Sequence, residues 1–382
     1  MGNWNLRKVF IGGLIGIGLF IVILNFINIF KDVNASLSDV PEGRIPEMIR
    51  NEGDNPFWTT LEKRVMELEK DGEVCKDITD TIEKGDCYQE VLSSYLVWYL
   101  DRSTFDDYSD IHFIEENEWK DILYAEIKDD DRFYYSFIDQ DAETDDLDLL
   151  EEIYWQDIEW LTEHWTVFSY IIPKQYRMSL KSVYWGDSGK DTFFAVSRDY
   201  YDPKTLSLMI SRKNYGYQSE YKSYYIHEFA HMLTLSEDQV KVDEDIYLSG
   251  DPDREYEASR ACKTYYQWGC MEEDSYLNQF YHQFWWDLVV PFKNIITEED
   301  LIEFYNRHQD RFLNAYSATD PAEDIAECFV FFVMQNSNEL DGKTEMKYDK
   351  IRFLYQYDEL VTMRTEILEN IYELVVLDKW FY

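Results

Sequence analysis

Residues 227–231 read His-Glu-Phe-Ala-His. On a helix, residues four apart stand one above the other, so both imidazoles can reach a single tetrahedral metal ion. Glu228, between them, falls beside the coordination position left open, where it can take a proton from water. Ile226, Ala230 and Leu233 form a separate apolar stripe that can face a core. The spacing predicts a Zn2+ site with His227 and His231 as ligands and Glu228 as general base. The competing reading is a helix whose two histidines are merely packed or solvated.

Such a site needs a third protein ligand. An extension of the motif in the metzincin manner would require Gly at position 234 and His at 237, where the chain has Thr234 and Glu237. Two acids remain. Glu257 lies in Tyr-Glu-Ala-Ser-Arg, and Glu323 lies in Asp-Pro-Ala-Glu-Asp-Ile-Ala-Glu, residues 320–327. Asp320 is a natural N-cap and Pro321 suits the first helical position, so a helix starts there. Glu323 then occupies the third helical position, where a capping-box glutamate can serve the cap instead of a metal. Yet Ile325, Ala326, Phe329, Val330, Phe331, Phe332 and Val333 make the helix mostly buried. Two carboxylates, Glu323 and Glu327, on one face of a buried helix need a partner. Glu323 is therefore the stronger ligand candidate and Glu257 the alternative.

Taken together, the His-Glu-x-x-His helix, Tyr316, and the Glu-x-x-Ala-Glu that begins seven residues later at Glu323 resemble the gluzincin zinc metallopeptidases, the group containing anthrax lethal factor and the clostridial Pro-Pro endopeptidases. The resemblance covers little more than Ser219–Leu235 and Tyr316–Val333. It implies that His227, His231 and Glu323 bind zinc, that Glu228 is the base, that Tyr316 donates to the substrate carbonyl, and that Glu327 orients a ligand from behind. It also implies a zincin-like catalytic domain, a small mixed sheet over the HExxH helix plus a helical lobe.

The elements that must position these residues are legible. A helix is expected from about Ser219 to Leu235, after strands at Thr192–Ser197 and Leu206–Ser211 around a turn at Asp202-Pro203. Ile122–Ile127 and Phe133–Ile138 flank Asp129-Asp130-Asp131 as a hairpin, and Trp58–Leu100 has helical periodicity. Strands followed by aromatic-rich helices make the fold class α+β. Asp139, Asp141, Glu143 and Asp145 alternate like a calcium loop, but Thr144 replaces the turn glycine and Leu150 the bidentate glutamate, so a solvated acidic face is the reading. His282 and His308 read as packed or exposed rings. Cys75 with Cys87, and Cys262 with Cys270, can close short disulfide loops, leaving Cys328 as a buried thiol.

The chain has 382 residues, with 77 acidic against 36 basic side chains and a formal charge of −41. That surface repels phosphate backbones, so nucleic-acid binding is excluded. A composition 45% hydrophobic and 17% aromatic excludes disorder. Val9 to Phe30 carries no charge and, as a helix, is about 33 Å long, enough to span a hydrocarbon core. Arg7 and Lys8 before it put the N-terminus in the cytoplasm and the rest outside. The run exceeds the usual signal-peptide core, so an uncleaved anchor is expected over cleavage near Ala35. Gly12 and Gly16 could pack two anchors into a weak dimer, and Asn34-Ala35-Ser36 is a glycosylation sequon.

The expected organisation is a cytoplasmic end (1–8), anchor (9–30), stalk (31–57), acidic N-terminal region (58–165) and zincin-like domain (166–382). The expected function is a membrane-anchored extracytoplasmic zinc peptidase acting on a peptide or protein. The alternatives are a surface binding or scaffold protein with a structural or inactive zinc site, and a zinc amidase acting on cell-wall material.

Overall fold

The structure is a computed structural model and describes residues 68–95, 119–138, 146–189, 194–213, 222–295 and 297–377. The expected anchor, the stalk, and Asp139 to Asp145 of the acidic loop lie outside the described residues. Among those described, no helix is long and apolar enough to cross a membrane.

A five-stranded mixed sheet forms the frame. Its strands are β1 (Lys120–Ile127), β2 (Phe133–Phe137), β3 (Leu180–Asp187), β4 (Phe194–Arg198) and β5 (Leu206–Ser211), in the order β2-β1-β3-β5-β4. β1 and β2 form the expected hairpin, with Ile127 opposite Phe133. It is closed by Lys128 N–H to Arg132 O at 2.8 Å, with Asp131 in the left-handed region at φ 66°. β3 and β5 run parallel, and β4 returns antiparallel to β5, at the edge of the sheet among the described residues. β5 is buried at every position, as expected of a strand covered on both faces. Its serines are satisfied inside the sheet: Ser207 Oγ donates to Asp199 Oδ2 at 2.9 Å, and Ser211 Oγ meets Ser188 Oγ at 2.6 Å.

The helices that matter here are α1 (Thr81–Tyr95), α2 (Trp155–Ile171), α3 (Lys222–Leu235), α4 (Tyr276–Phe284), α5 (Glu298–Arg307), α6 (Pro321–Met334), α7 (Met346–Leu354) and α8 (Asp358–Leu377). A small antiparallel sheet, β6 (Val240–Val242), β7 (Tyr265–Tyr266) and β8 (Gly269–Met271), follows α3 in order β6-β8-β7. Both expected disulfides form, Cys75–Cys87 and Cys262–Cys270, and Cys328 is a buried free thiol.

The expected division at residue 165 falls inside α2. Strand β1, from the acidic N-terminal stretch, pairs with β3 beyond it, and one hydrophobic core runs from Leu68 to Leu374. The N-terminal helix is also tied to the C-terminal one. The buried Arg364 of α8 donates to Asp86 Oδ1 of α1 at 2.7 Å and to the carbonyls of Phe332 and Gln335 at 2.6 and 2.9 Å. Residues 68–165 and 166–377 thus share a sheet and a core. Acid-rich composition marked the first stretch as separate, but its buried side chains, among them Ile122, Leu123 and Ala125, are apolar. Leu150, at the calcium-loop position that needs a carboxylate, is also buried.

Candidate metal centre

Helix α3 is buried almost all round, His227, Glu228 and His231 included. Polar groups at such depth must find partners or cost several kcal/mol, on the order of 2–7 for an unpaired group. On the sheet side, Phe194 of β4 stacks on Tyr224 (centroids 5.6 Å apart) and meets Tyr225 edge-on at 5.5 Å. On the other side lies α6, where Phe229 meets Phe329 at 5.8 Å. These two contacts set the height at which the histidines face α6.

Helix α6 starts as its sequence requires. Asp320 caps it, Oδ1 accepting from Ala322 N at 2.7 Å, with Pro321 in the first turn. Glu323 is therefore free of capping duty, and its carboxylate turns towards the imidazoles. His227 Nε2 lies 3.1 Å and His231 Nε2 3.2 Å from Glu323 Oε2, and the two Nε2 atoms are 3.1 Å apart. Among the described residues this is the group of ligand-type side chains that converges tightly enough for one ion.

The donor set fits zinc. Two ligand atoms bonded to a tetrahedral zinc at about 2.0–2.1 Å lie about 3.3 Å from each other, close to the three separations observed. Two imidazole nitrogens aimed at one point beside a carboxylate oxygen are also an arrangement that a cation relieves. Both histidines are 7% exposed, whereas the Glu323 side chain is 24% exposed, so the open approach is on its side.

Behind the histidines, His227 Nδ1 lies 2.8 Å from Glu327 Oε1, and Glu327 Oε2 accepts from Asn314 Nδ2 at 2.6 Å. Asn314 is itself fixed, its Oδ1 accepting from Ser317 N at 2.8 Å. This chain of bonds holds a proton of His227 on Nδ1, so that Nε2 is the nitrogen turned towards the metal position. Tyr316, in a short 3-10 turn of the same loop, has its ring centroid 5.8 Å from that of His227. His231 Nδ1 and Glu228 Oε2 are buried with no hydrogen-bond partner among the described residues.

The electrostatics follow from this crowding. Burial pushes the Glu228 carboxyl up, against the pull of His227 and His231 and of a hydrogen bond from the Val196 backbone N–H. Burial also works to raise Glu323, but the two histidines hold it well below the usual carboxylate range. Burial opposes a charged His227, yet hydrogen bonds with Glu323 and Glu327 carry its ring well above the ordinary value. Burial raises Asp320 to about 7, although Ala322 N–H and Tyr266 OH both donate to it.

His227, His231 and Glu323 are thus brought together, with Glu228, Glu327 and Tyr316 against them. Glu257 is not. It lies in the short helix Pro252–Ala258 with its side chain 69% exposed, 3.6 Å from Arg260. His282 is also elsewhere, 3.2 Å from Thr264 Oγ1 and against Trp286, and His308 Nδ1 lies 2.8 Å from Phe304 O. Sequence reading missed Asn314, whose only signal is a turn-forming Asn-x-x-Ser, and Val196, whose backbone role carries no side-chain signature. Comparison with protein-family models, with curated proteins and with solved structures finds no match. The chemistry of the site therefore rests on its own atoms.

Proposed function

We propose that this chain is a zinc-dependent peptidase, anchored in a membrane by Val9–Phe30 and working on the extracytoplasmic side. The observation that carries the reading is the convergence of His227 Nε2, His231 Nε2 and Glu323 Oε2, each 3.1–3.2 Å from the other two. Three protein ligands suit a catalytic zinc, which keeps a position open, whereas a structural zinc is closed by four. This favours an enzyme over a scaffold. The fold around the site, a mixed sheet beside the HExxH helix with helices on the far side, agrees with the zincin-like arrangement the sequence resemblance implies.

When bound, zinc supplies Lewis-acid polarisation of the scissile carbonyl and acidifies a water. The protein groups do the rest. Glu228, held by burial and with one oxygen unpartnered, accepts the proton of the attacking water and delivers it to the leaving amine. The Tyr316 hydroxyl donates to the carbonyl oxygen as negative charge develops there. Glu327, fixed by Asn314, holds the His227 ring in one tautomer. Strand β4 borders the site, and Val196 on that strand donates to Glu228.

Glu228→Gln tests the reading. The variant keeps its zinc and loses peptide hydrolysis by at least about 100-fold, the worth of a positioned general base. Full activity in that variant removes the assignment.

A further inference from the structure

One oxygen of Asp320 serves two donors. Oδ1 accepts from Ala322 N at 2.7 Å, which caps α6, and from the Tyr266 hydroxyl at 2.7 Å. Tyr266 comes from a distant part of the chain, strand β7, and both partners are buried, at 6% and 4% exposed. Glu323 follows the cap within the first turn of α6. Just beyond it, Asp324 Oδ2 accepts from Trp285 Nε1 at 2.7 Å and from Lys350 Nζ at 2.6 Å. The backbone of Glu323 is thus held at two points, one on either side. With either point released, the turn can pivot about the other.

The hairpin that delivers Tyr266 is unusual. Gln267 and Trp268 alone join β7 to β8, with Tyr266 opposite Gly269. Both lie at positive φ, 40° and 64°. Two-residue turns of that hand prefer Asn-Gly or Asp-Gly, because a larger side chain crowds the backbone there. Here neighbouring contacts hold the strained pair in place. The Trp268 ring meets Tyr247 edge-on at 5.2 Å, Trp268 O accepts from Asp243 N at 2.9 Å, and Gln267 Nε2 donates to the Tyr266 hydroxyl at 3.4 Å. Gly269 lets β8 lie close against β6, since a Cβ there would stand 2.3 Å from Lys241 O. The Cys262–Cys270 disulfide closes the same segment. Strain that persists under so many restraints clusters at functional sites. Strand alternation turns Tyr265 and Tyr266 to opposite faces, so a fixed hairpin also fixes the direction of the Tyr266 hydroxyl.

Resting on the zinc reading above, we propose that Tyr266 is a positioning residue of the metal centre. Through Asp320 it holds the first turn of α6, and with it Glu323, in the place from which the carboxylate meets the two imidazoles. Its own hydroxyl is spent on the cap, so its effect reaches the ion only through Glu323.

The test uses the full-length chain in detergent as wild type, Tyr266→Phe, Asp320→Asn, Asp320→Ala and the double variant Tyr266→Phe/Asp320→Ala. In competition with a chelator, Tyr266→Phe should bind zinc about 10-fold more weakly than wild type. Asp320→Ala should lose at least as much, and the double variant no more than Asp320→Ala, because the two residues act in series. Asp320→Asn should lose less than Asp320→Ala, since Asn caps as well as Asp and still accepts from the hydroxyl. The melting temperature of the metal-free proteins is read alongside. A hydroxyl that merely stabilises the fold would lower it and leave the zinc affinity of the folded chain unchanged.

Unchanged zinc affinity in Tyr266→Phe overturns the proposal, and so does a full further loss in the double variant. Should Asp320→Ala not fold, Tyr266→Phe against wild type decides. If the wild type holds no zinc, the zinc reading fails by itself, and hydrogen exchange of the metal-free chain decides the positioning. Peptides over residues 321–325 should then exchange about 10-fold faster in Tyr266→Phe, the worth of one hydrogen bond, with those over 328–334 unchanged. No change in either, or an equal rise in both, overturns it.

Discussion

Replacing Lys350 by Met probes the polar contact beneath the metal-binding helix α6. Lys350 Nζ lies 2.6 Å from Asp324 Oδ2, and both side chains are fully buried. The same oxygen accepts from Trp285 Nε1 at 2.7 Å, and the ammonium sits 4.2 Å from the centroid of Phe312. Met keeps the apolar stem but leaves Asp324 without its counter-charge. Stranding one member of a buried pair costs about 3–5 kcal/mol while it stays charged. Protonation offers the carboxylate relief. Burial already pushes Asp324 up to about 6, against the pull of Lys350, and without Lys350 it rises further.

A carboxyl whose folded pKa exceeds its unfolded value, about 3.9, contributes stability that is whole below that value. This contribution is lost at about 1.4 kcal/mol per pH unit as pH rises through the folded pKa. In the wild type that loss ends near pH 6, and in Lys350→Met it continues. The gap in unfolding free energy between the two proteins is therefore least at about pH 5 and widens by about 3 kcal/mol by about pH 8. Urea unfolding of both proteins in metal-free buffer across that range measures it. A destabilisation equal at both ends of the range would refute the reasoning, because lost packing, not a stranded charge, would then be the cost.

Two further outcomes follow from the same geometry. Asn314→Ala removes the donor that fixes Glu327, and weakens zinc affinity about 10–100-fold; competition with a chelator reads this, and an unchanged affinity would mean that Glu327 orients His227 unaided. Because the metal-free His227 ring holds its proton well above the ordinary histidine range, zinc binding must displace that proton, so affinity falls as pH falls and binding releases protons. Calorimetry in two buffers of different ionisation heat measures the release, and none near pH 6–7 would contradict a charged His227 ring in the metal-free protein.

The site was legible where its chemistry repeats at helical spacing. His227, Glu228 and His231 declare themselves within one turn, and Asp320-Pro321 announces the helix that carries Glu323 and Glu327. Asn314 was not legible, because its partner Glu327 is reached across a loop whose path depends on α6 already being docked. The burial of Arg198 was not legible either: a lone arginine at a strand end reads as a solvated charge, yet this one is 4% exposed. In the fold, β1, β2, β4, β5 and α3 stood out from their apolar runs, and β3 did not. The joining of β1 to β3 across residue 165 did not, because strand pairing over some 60 residues leaves no local pattern.

The most direct test of the central claim is zinc content, measured on purified full-length protein as wild type, Glu323→Ala and Glu257→Ala after equilibration with the metal and removal of the excess. One zinc per chain is expected in the wild type and in Glu257→Ala, and its loss in Glu323→Ala. A wild type that holds no zinc, or a Glu323→Ala variant that holds as much as the wild type, would contradict it.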